Sequence, residues 1–256
     1  MRGIFIQLEV IYALLIREMK TRFGAHRLGY VWALIEPVLW IGTFVVVYYV
    51  FGHQPPPGTT LIAFLVTGFV PFDLFRDASA HAMMSISGNK GLLFYPQVRP
   101  LDLVIARVLL EAATQLTVFT LLMGGEALYI GQLHVNSLLT TLAGLGLAAG
   151  LGAGLGLLFC GLSVFFPTVE RLYTPLIRPL FWFSALFYPV DLVPTVARKL
   201  LLLNPLVHAI ELVRYGWFPS YGARHIDPSY PALWILVMLF FGLSLERVAR
   251  RRLELS

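Results

Sequence analysis

At 256 residues, 58% hydrophobic and 13% charged, the chain carries too little charge for an ordinary water-soluble domain, in which about a quarter of residues ionise. Its single cysteine, Cys160, lies in an apolar run and excludes an internal disulfide framework. Basic residues exceed acidic ones 19 to 14, and their positions, taken up below, report topology and not a nucleic-acid partner.

The chain opens with an amphipathic stretch. From Met1 to Arg22, Ile4, Leu8, Ile11, Leu15 and Met19 fall on one helical face, with Arg2, Glu9, Arg17 and Lys20 on the other. Charges among its apolar residues and the lack of a small-residue cleavage site read against a cleaved signal. The expectation is an N-terminal helix within residues 1–27 that lies in the cytoplasmic interface, as a plain anchor, as a gate, or as a site for an anionic lipid-linked substrate.

A bilayer core of about 30 Å needs about 20 mostly apolar residues per helix. That length predicts spans over Leu28–Phe51, Leu61–Met84, Leu101–Ile130, Leu138–Phe166, Leu172–Pro189 and Tyr230–Leu245. Span one places Glu36 directly before Pro37, an intramembrane carboxylate at a kink, with Tyr30 and Trp32 nearer the interface. Span two contains Asp73, Arg76, Asp77 and His81; spacings of three and four allow Asp73 to pair with Arg76 and Asp77 with His81. Mutual neutralisation between helices and a proton relay both fit such groups.

Between spans two and three, residues 85–100 carry Leu92, Leu93, Phe94 and Tyr95 beside Asn89 and Lys90. On the water side such a cluster reads as a docking surface, or as a segment dipping into the bilayer surface. Span four is rich in glycine, and Gly146–Gly150, Gly150–Gly154 and Gly152–Gly156 each satisfy the G-x-x-x-G spacing of closely packed helices.

After span five, residues 191–229 contain two apolar stripes, Val193 to Leu201 and Leu206 to Trp217, each too short to span. Asn204-Pro205 supplies a cap and first turn for the second. Two half-helices that enter the outer leaflet and return would bury both stripes. His208, Glu211 and Arg214 recur at every third position of the second piece, without the histidine spacing of a zinc motif, so no metal site is expected.

Most Lys and Arg residues fall at Arg2 to Arg27, Lys90 to Arg107, Arg171 to Arg178 and Arg247 to Arg252. The positive-inside rule then puts both termini in the cytoplasm and requires an even number of crossings. No G-x-x-x-x-G-K-[ST] phosphate loop occurs, so no nucleotide cofactor is expected in the chain itself.

Five segments together resemble a known family: Arg17 to Gly24 (Arg-Glu-Met-Lys-Thr-Arg-Phe-Gly), Leu28 to Pro37 (Leu-Gly-Tyr-Val-Trp-Ala-Leu-Ile-Glu-Pro), Asn89 to Val98, Phe187-Tyr-Pro-Val190, and Asn204 to Phe218. They look like the polysaccharide-export branch of the type-2 ABC transporter permeases, and more like its group 2 capsule permeases than its O-antigen permeases. The resemblance implies an all-α, six-span subunit of a homodimer in the bacterial inner membrane. Two copies of a cytoplasmic ATPase would bind ATP and Mg and dock on residues 85–100, through Asn89, Lys90, Leu92, Leu93, Phe94 and Tyr95.

It further implies a lipid-linked anionic glycan as substrate, with periplasmic and outer-membrane export partners. For the substrate's acidic head, Arg17, Lys20, Arg22 and Arg27 are expected at the inner interface. Sugars stack on aromatic rings, which nominates Tyr30, Trp32, Trp40 and Tyr48 on span one and Trp182, Phe183, Phe187 and Tyr188 on span five as pore lining. The family's outer re-entrant helices would place Asn204, His208, Glu211 and Arg214 at an outer gate. The alternatives are a permease for O-antigen, teichoic acid or another lipid-linked glycan, and, in a different class, a membrane-embedded enzyme.

Overall fold

The computed structural model describes residues 2–23, 29–95, 97–132, 135–222 and 224–253. They form helices only: α1 (Arg2–Phe23), α2 (Gly29–Val50), α3 (Leu61–Met83), α4 (Pro100–Ile130), α5 (Leu138–Phe165), α6 (Thr168–Trp182), α7 (Thr195–Leu201), α8 (Pro205–Trp217) and α9 (Ser229–Leu253), with no strand among the described residues. By length and composition α4, α5 and residues Ser229–Val248 of α9 suffice to cross a membrane, and Leu34–Val50 of α2 is a shorter apolar helix.

The helix ends follow local chemistry. Thr60 accepts from the Ala63 N–H to start α3, Ser137 accepts from Thr140 N–H to start α5, and Asn204 accepts from Leu206 N–H ahead of Pro205 to start α8. Asp102 Oδ2 accepts from the Arg99 N–H at 2.9 Å where α4 begins, and α4 stops at Gly131, whose φ of 75° suits glycine.

α3 is the axis of the fold. It packs against α5, α4, α8 and α2, and every residue from Ala63 to Phe75 is buried. Its apolar residues therefore face protein on all sides. The glycines of α5 sort onto two faces. A Cβ at Gly152 or Gly156 would meet the Phe75 or Ser79 carbonyl of α3, each at 2.6 Å, and one at Gly150 or Gly154 would meet Ile235 or Met238 of α9. The G-x-x-x-G spacings thus serve contacts within the subunit, apart from Gly146, which faces open space.

Two elements differ from the sequence expectation. α6 ends at Trp182 instead of running on to Pro189. Pro175 and Pro179 each remove a helical N–H, Ala185 adopts φ 56°, and Pro189 disfavours helix at Tyr188. On α1 the face turned inward is Val10, Leu14 and Leu15, packed on Leu103 and Ala106 of α4, while Phe5, Ile6, Leu8 and Tyr12 are exposed. The inward rotation is set by Arg17, Glu18 and Arg22, which find polar partners on α4 and beside it.

Candidate functional site

Residues 184–190 run without α-helical pairing between α6 and α7, and Ser184, Ala185, Leu186 and Val190 are buried. Their carbonyls require donors from elsewhere. Asn204 Nδ2 donates to Phe183 O and to Ser184 Oγ, both at 3.0 Å. The Tyr48 hydroxyl of α2 donates to Phe187 O. Arg214 donates to Leu186 O at 2.7 Å and to Tyr188 O at 3.3 Å. Three side chains, one from α2 and two from α8 and its cap, therefore hold this unwound stretch.

Arg214 is 0% exposed. Its charge is compensated by Glu211 Oε1 at 3.0 Å and by the Phe64 ring, whose centroid lies 4.0 Å from Cζ. The Tyr221 hydroxyl in turn donates to Glu211 at 2.8 and 3.0 Å. Space for this arrangement comes from Gly68 of α3: a Cβ there would meet Leu186 O at 2.7 Å and Arg214 Nη2 at 2.9 Å. A buried ion pair gains little unless its remaining donors and acceptors are paired; here Nη1 and Nη2 also donate to the broken backbone, and Nε is buried without a hydrogen-bond partner. Asn204, Glu211 and Arg214 thus converge on one structure. His208 faces away from it: Nδ1 accepts from the Asp227 N–H at 3.2 Å, so Nε2 donates to Leu202 O at 3.0 Å. Both ring nitrogens are used, and among the described residues no group of His, Cys, Asp or Glu could hold a metal ion.

A second polar system lies between α3 and α4. Arg76 bridges Asp73 Oδ1 and Asp77 Oδ1, each at 2.9 Å, and Gln115 Nε2 donates to Asp77 Oδ2 at 3.4 Å. His81 Nδ1 lies 2.9 Å from the Asp77 carbonyl and 2.8 Å from Glu111 Oε1, so its side-chain partner is across on α4 and not the Asp77 carboxylate. Glu111 is 1% exposed and also accepts from Arg22 of α1. Below it Arg107 reaches Glu18 Oε1 at 2.9 Å and the His81 carbonyl at 3.0 Å. The sequence reading missed Glu111, Gln115, Arg107 and Glu18 as partners. Glu111 was detectable in principle, as an ionisable residue inside an apolar span.

On α1, Arg17 Nη1 donates to Asn89 Oδ1 at 2.8 Å, and Lys20 is exposed. Arg27 lies outside the described residues. In the Ser87–Phe94 segment Asn89 is buried, Leu92 packs toward Leu14 and Leu103, and the Tyr95 ring is 63% exposed; the side chains of Lys90, Leu93 and Phe94 lie outside the described residues, as does that of Tyr30.

The aromatic candidates divide. Trp32, Trp40, Trp182 and Phe183 are exposed, while Phe187 stacks on Phe44 with centroids 4.4 Å apart and Tyr188 donates to Trp182 O. Trp40, Phe44, Phe69, Phe181, Trp182 and Phe187 make a continuous aromatic cluster joining α2, α3 and α6. Against the exposed face of α2 lies a cavity of about 580 Å³ lined by Trp32, Glu36, Leu39, Trp40 and Thr43.

Residues 9–218 match the ABC-2 type transporter family. The chain belongs to that family. Among curated ABC-2 relatives, the polysialic acid transport protein KpsM of Escherichia coli is 34% identical over 245 residues, 96% of this chain and 95% of that one. The capsule polysaccharide export inner-membrane protein CtrC of Neisseria meningitidis is 31% identical over 95% of this chain and 92% of its own. BexB of Haemophilus influenzae, of the same description, is 30% identical over 99% and 96%. These alignments take in the whole of both polar systems, from Arg17 on α1 to Arg214 on α8.

Proposed function

We propose that this chain is the membrane-spanning subunit of an ATP-driven exporter that moves lipid-linked capsular polysaccharide across the bacterial inner membrane. The observation that carries the reading is end-to-end similarity to proteins named for capsule polysaccharide export, joined to membership of the ABC-2 family. An O-antigen export permease of Klebsiella pneumoniae is also similar, at 24% over 76% of the chain. The higher identity and fuller coverage of the capsule proteins favour the capsule branch.

In this reading α2, α3, α4, α5, α6 and α9 cross the membrane with both termini in the cytoplasm, α1 lies in the inner interface, and α7 and α8 re-enter from outside. Two such subunits form the conduit. Two copies of a separate ATPase bind ATP and Mg and dock at residues 85–100, and periplasmic and outer-membrane proteins receive the polymer. Indoles and a carboxylate in one groove, Trp32, Glu36 and Trp40, suit sugar faces and hydroxyls along the path. Arg17, Lys20, Arg22 and Arg27 serve the acidic lipid-linked head, and Asn204, Glu211 and Arg214 hold the outer closure.

The test is reconstitution of the chain with its ATPase in vesicles and measurement of lipid-linked glycan movement. ATP-dependent transport of an anionic capsular glycan, lost when the ATPase is omitted, is expected. Vesicles that hydrolyse ATP yet move O-antigen in preference to capsule would shift the assignment to the other branch.

A further inference from the structure

Arg17 and Arg22, two of the arginines suited to an anionic headgroup, are already held by the protein, and one of the acceptors sits at a hinge. Asn89 has φ −134° and ψ 28° inside the Ser87–Phe94 segment, so the helical path kinks there. Its amide has two tasks. Nδ2 donates to the Ser85 carbonyl at 3.1 Å, within the same turn, and approaches Glu18 Oε1 at 3.5 Å, while Oδ1 accepts from Arg17 of α1. Asn89 is 5% exposed, yet Arg17 and Lys20, one turn apart on α1, are exposed. The neighbouring tie, Arg107 to Glu18, is a full ion pair and stays intact. Among the described residues, Arg17 to Asn89 is the tie of α1 to this segment in which the acceptor is neutral.

We propose that the Arg17–Asn89 contact is a latch that an anionic headgroup displaces, so that loading α1 with a phosphate- or carboxylate-bearing lipid releases the hinge of residues 87–94. The inference rests on the reading of that segment as the ATPase-docking element. A charged oxygen outcompetes an amide oxygen for a guanidinium, because it adds the attraction of two opposite charges and can accept from both arms of the guanidinium fork. Once Arg17 turns to the headgroup, Asn89 Oδ1 is left as a buried acceptor without a donor. Such a group is costly in place, and movement of the segment into water relieves it. Substrate arrival at the inner leaflet would thereby reach the ATPase surface before any transport step.

The test uses the full-length permease without the ATPase, with buried Cys160 replaced by Ala and spin labels attached at Ala13→Cys on α1 and Gly91→Cys, both exposed positions. Labelled subunits are diluted with unlabelled ones and reconstituted in phosphatidylcholine, or in phosphatidylcholine with phosphatidylglycerol. The expected result is one narrow distance in neutral lipid and a second, displaced population in anionic lipid. Asn89→Ala is expected to show the displaced population in both lipids, as is Arg17→Met, which removes the donor and leaves Asn89 in place. A millimolar inorganic phosphate arm in neutral lipid separates sources. Displacement there assigns the latch to any phosphate, and its absence assigns it to a membrane-borne one. A wild-type distance that stays single in both lipids overturns the latch, as does a lipid response of equal size in Asn89→Ala. Because no ATPase is present, a permease that shows the latch yet exports nothing loses the functional reading and keeps this one, and an exporter with a rigid distance does the reverse.

Discussion

Arg214 donates to the Leu186 carbonyl at 2.7 Å, so a side chain of α8 supplies the hydrogen bond that a longer α6 would have drawn from its own backbone. The chain gives up a turn of helix after Trp182 and replaces it with contacts among α2, α3 and α8.

Arg214→Met should therefore strand Glu211 as a buried charge and leave Leu186 O unpaired, costing about 3–5 kcal/mol. Arg214→Met combined with Glu211→Leu removes both charges and should cost clearly less than the single change. Thermal unfolding of the purified subunit measures both. Additive losses in the double variant would mean that the two residues do not act as a pair.

Gly152→Ala and Gly146→Ala form a matched pair on one helix. The first pushes a methyl to 2.6 Å from the Phe75 carbonyl of α3, and the second points into open space. Overpacking against backbone costs about 1–3 kcal/mol, so Gly152→Ala should lower the melting temperature and Gly146→Ala should not lower it by an equal amount. Equal sensitivity at both positions would imply that the open face of Gly146 is covered by a second subunit.

Glu111→Gln tests the polar system between α3 and α4. The carboxylate accepts from Arg22 and His81 while 1% exposed, and the amide keeps its shape but not its charge. A loss of about 1–3 kcal/mol is expected from weakening hydrogen bonds to charged donors. Arg22→Gln in the same background should add little further loss, which a double-mutant cycle reads directly.

Tyr95→Ala addresses docking. Its ring is 63% exposed and supports no core, so stability should hold while co-purification of the ATPase falls several-fold. An unchanged yield of ATPase in pull-down would remove this residue from the docking surface.

The starts of α3 and α5, at Leu61 and Leu138, were legible as the starts of apolar runs, and Asn204-Pro205 as the cap and first turn of α8; the caps Thr60 and Ser137 emerge only in the structure. Legibility ended where the outcome depended on distant partners. Arg214 and Glu211 stood out by spacing, but nothing near them in sequence pointed to Leu186, Phe64 or Gly68 as the groups they meet. The inward face of α1 was likewise set by Asn89, Arg107 and Glu111, all remote along the chain. A span predicted from hydropathy alone also cannot register that two prolines and a left-handed Ala185 stop α6 early.

The early end of α6 has a mechanical corollary. A helix of 15 residues rises about 22 Å, short of the roughly 30 Å of hydrocarbon it would have to cross. In the proposed six-crossing subunit, residues 183–190, whose carbonyls are tied by borrowed donors, would make up the shortfall. In the proposed exporter such a segment would part by swapping those few tethers, with no helical ladder to melt.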